Sequence, residues 1–200
     1  MRKIISLLVK YNLLFIIKIL NKYTDKYTDF ELYLSITFKN INVIRFLNLT
    51  NDNLKIFDYY YDIVKTNDLD FIKILISNRS INELDLYYFL VCSIEYRYFD
   101  LADYFISIGS NINYRFDWIL CDNVRHDRID KIKTIEYCLK NHANPNEISE
   151  TDLNYVDDDN VWMLLIQYGL KYDILTKKET KDKYKKVRNK LLFEKLNKLI

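Results

Sequence analysis

NDLDFIKILISNRSIN (67–82), YFDLADYFISIGSNIN (98–113) and KTIEYCLKNHANPN (133–146) are three versions of one segment. Each is a short apolar run followed by a polar turn that ends in Asn. In 71–76 only Lys73 is polar, and a helix that apolar is buried on more than one side. A second helix sandwiched between the unit before it and the unit after it meets that condition. The frame extends upstream to NINVIRFL (40–47) and LLFIIKIL (13–20), and downstream to VWMLLI (161–166). Its aligned positions are Ile17, Ile44, Ile72, Ala102, Ile135 and Trp162, spaced 27, 28, 30, 33 and 27 residues apart. Another apolar stretch precedes most of these runs, at 32–38, 56–64, 86–94 and 118–124. Each unit therefore reads as helix, short turn, helix, longer loop.

Punctuation supports the frame. Asn40, Asp68, Asp100, Asp130 and Asp159 stand where a second helix begins and are expected as its N-caps. The second helix is expected to end near Arg79, Gly109, His142 or Gly169. Gly109 and Gly169 are both of the chain's glycines, and that position favours a positive φ. Units are expected near 1–25, 26–52, 53–83, 84–114, 115–147 and 148–176, followed by a basic tail, 177–200.

Composition narrows the rest. Two Gly and one Pro in 200 residues are too few for a turn-rich sandwich or barrel. No G-x-G-x-x-G or G-x-x-x-x-G-K-[ST] occurs, so a Gly-built phosphate site is excluded. Half the residues are hydrophobic, enough for a core. Cys92, Cys121 and Cys138 form an odd set without C-x-x-C spacing, as in a reduced, intracellular protein. Met1-Arg2-Lys3 and the apolar residues 4–9 resemble the start of a secretion signal, but Lys10 breaks the run and no small-residue cleavage site follows. No stretch reaches the ~18–20 apolar residues of a membrane span.

Several constellations have a chemical and a structural reading. Cys121, His126, Cys138 and His142 include an i, i+4 pair that could hold zinc, but the spacings match no standard finger. Cys138 reads better as a core residue and His142 as a helix terminator. Asp157-Asp158-Asp159 with Asp152 lacks the alternation of a calcium loop and reads as a helix start. Neither histidine lies in a motif with a nucleophile, so no catalytic, metal or cofactor site is expected. The tail carries ten basic and three acidic residues over 177–198, a net +7 that leaves −5 on the rest. Val187, Leu191, Leu192, Leu196, Leu199 and Ile200 recur near helical spacing there. Such a helix either closes the end of the array or presents Lys181, Lys185, Lys186 and Arg188 to nucleic acid or an anionic membrane.

The three opening segments, and His142-Ala143-Asn144-Pro145-Asn146 above all, resemble the second helix and following turn of the ankyrin repeat, whose usual period is 33. The resemblance covers 67–146 closely and 39–173 more loosely. The Thr-Pro-Leu-His tetrapeptide that the family uses in its first helix is missing. The resemblance implies an all-α solenoid of about five to six degenerate helix pairs closed by the basic C-terminal helix. It also implies a monomeric, non-catalytic protein-binding role through first helices and loop tips. By position, that surface comprises Asn82, Glu83, Tyr87, Tyr114, Arg115, Asn146 and Glu147, with the tyrosines near 59–61, 87–88, 96 and 98 as further anchors. Degenerate ankyrin proteins of this composition are similar to those carried by large DNA viruses, which implies a host protein as partner and the host cytoplasm as location.

Overall fold

The computed structural model describes residues 7–11, 29–44, 59–77, 81–114, 118–125 and 130–197. Among the described residues, helix is the only regular secondary structure and no strand occurs. The chain divides into two units, 1–110 and 111–200.

The first unit contains α1 (Asp29–Thr37), α2 (Tyr60–Lys65), α3 (Leu69–Ile76), α4 (Glu83–Glu95) and α5 (Phe99–Ser107), with further helical turns at 7–10 and 41–44. Here α1 packs on α2, α2 on α4, and α4 on α5. The second unit contains α6 (Trp118–Arg125), α7 (Lys131–Lys140), a 3-10 turn (Pro145–Glu147), α8 (Glu150–Asn154), α9 (Asp159–Gln167) and α10 (Lys178–Asn197). In this unit α6 packs on α7 and α8, α7 on α9, and α10 on both α8 and α9. In the first unit α4 thus meets both α2 and α5, and in the second α6 meets both α7 and α8.

Several of the helix ends share one device. In α5, the Gly109 N–H donates to the Ile106 carbonyl and the Ser110 N–H reaches back five residues to the Phe105 carbonyl at 2.9 Å. Gly109 has φ +105°. His142 (φ +69°) and Gly169 (φ +101°) occupy the same place, with Ala143 bonding to Cys138 and Leu170 to Leu165. This six-to-one closure satisfies carbonyls that the helix leaves open, and it requires a left-handed residue. The three second-helix terminators expected at described positions are therefore in place; Arg79 lies outside the described residues. The first helices use the device too. Lys39 and Arg97, at φ +51° and +60°, precede Asn40-to-Ser35 and Tyr98-to-Ser93 bonds, and Asn67 has φ +47° at the corresponding end of α2.

Those ends correct the expected caps. Asp68 does cap α3, accepting from the Phe71 N–H at 3.0 Å, and Asn40 accepts from the Val43 N–H at 3.2 Å. Asp100 does not cap α5. The residue after the left-handed Arg97 is Tyr98, so Tyr98 takes the cap position and Asp100 falls inside the first turn. Asp159 also lies inside its helix, and Asp158 accepts from the Asn160 N–H at 2.8 Å. Asp130 adopts φ +60° at the start of α7 and makes no side-chain cap bond.

The frame positions are core. Ile44, Ile72, Ala102, Ile135 and Trp162 are all buried, and Ile17 lies outside the described residues. Phe89 of α4 and Phe105 of α5 stack at 5.0 Å between centroids and 10° between planes. Trp162 donates its indole N–H to the Val156 carbonyl at 3.0 Å, so its burial leaves no donor stranded.

Candidate interaction surface

Helix geometry sorts the tyrosines of the first unit. Successive residues point about 100° apart on a helix, so a run of tyrosines cannot share one environment. Tyr60 turns inward. Its hydroxyl donates to Asp85 at 2.6 Å, and its ring meets Phe89 edge-on at 5.0 Å. Tyr61 turns outward and is 52% exposed. Its ring meets Tyr96 at 6.2 Å, nearly perpendicular, and Tyr96 stacks on Tyr98 at 5.6 Å. Partial burial, and then the Glu95 carboxylate that it faces, push the Tyr61 hydroxyl above the ordinary phenol range. Tyr96 is 36% exposed, and Tyr33 of α1 is exposed as well. Of the outward aromatics, Tyr33 lies on α1, Tyr61 on α2 and Tyr96 directly after α4.

Tyr87, expected on this surface, is corrected to the core at 1% exposure. It shares helical spacing with Leu90, Val91 and Ile94, all buried. Because α4 is covered by both α2 and α5, two sides of it are inside. Nearby, Cys92 is buried, and its thiol is pushed up to about 12 by burial and by Glu95, so it is inert as a nucleophile.

The loop-tip residues divide into structural and exposed. Asn82 caps α4 in a reciprocal box: its side chain accepts from the Asp85 N–H at 2.8 Å, while Asp85 accepts from the Asn82 N–H. Glu83, next to it, is exposed. Asn146 is committed to register. Its amide donates to the Gly169 carbonyl at 3.1 Å and accepts from the Lys171 N–H at 2.9 Å. Asn113 does the same from the turn after α5, donating to the His142 carbonyl at 2.9 Å and accepting from the Asn144 N–H at 3.1 Å. Each of these asparagines clasps the main chain of the next helix terminator and of the residue two beyond it. Glu147 is exposed and accepts from the Asn144 side chain, Tyr114 is half-buried, and Arg115 lies outside the described residues.

In the second unit α10 uses Thr180, Tyr184, Val187 and Leu191 as its buried stripe. Leu192, expected in that stripe, is 50% exposed. Leu192 is turned about 100° from Leu191 and falls outside the strip of α10 that is buried. Tyr184 donates to the Leu170 carbonyl and Thr180 to Asn154. Glu150, at the start of α8, accepts from the Thr176 and Lys177 N–H groups at 2.9 and 2.7 Å and from the Thr176 hydroxyl. The Thr176 hydroxyl bond, with the two main-chain bonds beside it, pulls the Glu150 carboxyl down to about 2.

The basic candidates differ among themselves. Lys181 and Lys185 lie over the Tyr172 ring at 5.7 and 5.3 Å. Lys186 and Arg188 are exposed. Asp159 pairs with Lys183 at 3.0 Å and Lys190 at 3.9 Å, and Lys183 also donates to the Asp157 carbonyl. The acidic run thus serves helix start and helix attachment. Asp152 is buried, accepting from Ser149 and pairing with Arg125 at 2.7 Å.

For the zinc reading, Cys138 is buried while His142 is exposed, and His126 lies outside the described residues. No group of three His, Cys, Asp or Glu poised for a metal occurs among the described residues. A cleft of about 280 Å³ opens beside α8 and α10, lined by Asn154, Asp157, Trp162, Glu179, Thr180 and Lys183. Thr180, Asn154 and Lys183 are engaged there in the bonds given above. No described helix is long and apolar enough to cross a membrane. The chain matches no protein-family model, no curated protein and no solved structure.

Proposed function

We propose that the protein is a non-catalytic binding module of degenerate ankyrin-like helix pairs, and that it holds a partner protein through aromatic side chains of its first helices. The observation that carries this reading is the outward pair Tyr61 and Tyr96, ring against ring, one on α2 and the other directly after α4. Rigid aromatics are the side chains that most often dominate interface energy, because they bury large area at little cost in side-chain entropy. The Tyr61 hydroxyl is turned to the Glu95 carboxylate, which holds the ring in this orientation. Glu83 adds an exposed charge at the start of α4.

Three features support the repeat reading. The six-to-one helix closure recurs, the frame positions are uniformly buried, and the Asn113 and Asn146 clasps are equivalent. The binding surface is revised from the one the sequence suggested: Tyr87 belongs to the core and Asn146 to the joint between repeats. The partner is expected to be a host protein if the virus-like resemblance is sound.

The test uses the full chain as bait against lysate of the cells in which it occurs, at low salt and at ~0.5 M salt, where exposed charges attract weakly. A Tyr61→Ser/Tyr96→Ser variant runs beside it. A discrete protein held by the parent at high salt and released by the variant supports the reading. Equal retention by both, or retention of nothing that survives salt, refutes it.

A further inference from the structure

We propose that the outer face of α10 docks on an anionic lipid surface, with Leu192 and Phe193 entering the headgroup layer and the lysines contacting lipid phosphates. The inner stripe Thr180, Tyr184, Val187 and Leu191 is spent on the second unit. The opposite face carries Lys178, Lys185, Lys186, Leu192 and Phe193, all exposed, with two exposed acids, Glu179 and Asp182. Phe193 is 66% exposed and Leu192 50%. Lys185 and Lys186 precede Leu192 and Phe193 by seven residues, two helical turns, so each lysine lines up with one apolar side chain. Arg188 and Lys190 flank the face and are exposed too.

Charge complementarity selects an anionic occupant, and the apolar pair selects its type. A nucleic-acid duplex would use the lysines and leave Leu192 and Phe193 in water. A lipid surface uses both, because an apolar layer lies directly beneath its phosphates. Lys185 already sits over the Tyr172 ring, and Asp159 draws on Lys186 as well as Lys190, so the attraction is spread over Lys178, Lys185, Lys186 and Arg188. The helix lies on the surface and does not enter as a span, since no described helix is apolar enough to cross.

The experiment is co-sedimentation of the full chain with phosphatidylcholine vesicles, with and without about 30% phosphatidylserine. Binding only to the anionic vesicles is expected. Lys186→Gln or Arg188→Gln should each weaken it about fivefold. Leu192→Ser/Phe193→Ser should weaken it about tenfold or more, while far-ultraviolet circular dichroism stays unchanged because both side chains are exposed. A Phe193→Trp variant should lose fluorescence to lipids brominated in the acyl chain, with the parent as baseline. No binding overturns the proposal. So does binding without quenching, or binding indifferent to the Leu192/Phe193 change, since each leaves a purely electrostatic contact. Tighter binding to duplex DNA than to anionic vesicles also overturns it, in favour of nucleic acid.

Discussion

Replacing Asn146 with alanine removes one amide that makes two bonds across a repeat boundary, to the Gly169 carbonyl at 3.1 Å and from the Lys171 N–H at 2.9 Å. A typical net hydrogen bond contributes about 0.5–1.5 kcal/mol. The groups left behind belong to exposed residues, so water replaces part of the loss. The working figure is about 1–2 kcal/mol. For a cooperative unit of about 60–100 residues each kcal/mol moves the midpoint by about 4–8 °C, so thermal unfolding should shift down by about 4–15 °C. Asn146→Asp sharpens the test. It keeps an acceptor for Lys171 but sets a carboxylate oxygen against the Gly169 carbonyl, so it should destabilise at least as much as alanine. Urea titration at constant m-value is the assay. If Asn146→Ala lies within about 0.3 kcal/mol of the parent, below the effect of a single hydrogen bond, the clasp does not hold the repeats in register and the reasoning fails. Asn113→Ala should match Asn146→Ala in size, because it makes the same two bonds.

His142→Gly should stabilise by up to about 1 kcal/mol, since φ +69° strains any residue with a Cβ. Gly169→Ala should cost about 1–2 kcal/mol although a Cβ there meets nothing within 4 Å, because φ +101° is the obstacle and not space; chemical denaturation measures both. Glu150→Gln should flatten the acid limb of stability. The folded carboxyl sits near 2, below its unfolded value, so its contribution is full above the ordinary glutamate range and is lost as pH falls towards about 2. The variant should start less stable at neutral pH and lose less over that window, read as melting temperature against pH. A parent and variant with parallel acid limbs would show that the Thr176 and Lys177 contacts do not hold the carboxylate.

What could be read from the residues was what repeats. The burial of Ile44, Ile72, Ala102, Ile135 and Trp162 followed from a frame of apolar runs, and Gly109, His142 and Gly169 from residue types that suit a positive φ. Lys39 and Arg97 adopt the same backbone and were not foreseen, because nothing in a lysine or arginine marks the left-handed region. Asp100 was placed two residues off as a cap, since the cap position follows the left-handed Arg97 directly, and Asp159 one residue off, since the neighbouring Asp158 takes the bond. The surface was harder. Tyr60, Tyr61 and Tyr87 are alike as letters and differ only in the direction that the helix gives them. Asn113 and Asn146 stood out as recurring loop asparagines, but only the bonds to the following loop separate a joint from a contact point. The exposure of Leu192 follows from how narrow a strip of α10 the second unit covers, which the spacing of apolar residues does not encode.

The asparagine joints address only main-chain atoms of their neighbour. A lock of that kind is indifferent to the side chains it closes upon. Any turn that presents a carbonyl and, two residues on, an N–H in this geometry can be clasped, so the joint itself makes no demand on side-chain identity. Choice of neighbour is then left to the packing between helices, as in the Tyr60–Asp85 and Arg125–Asp152 contacts.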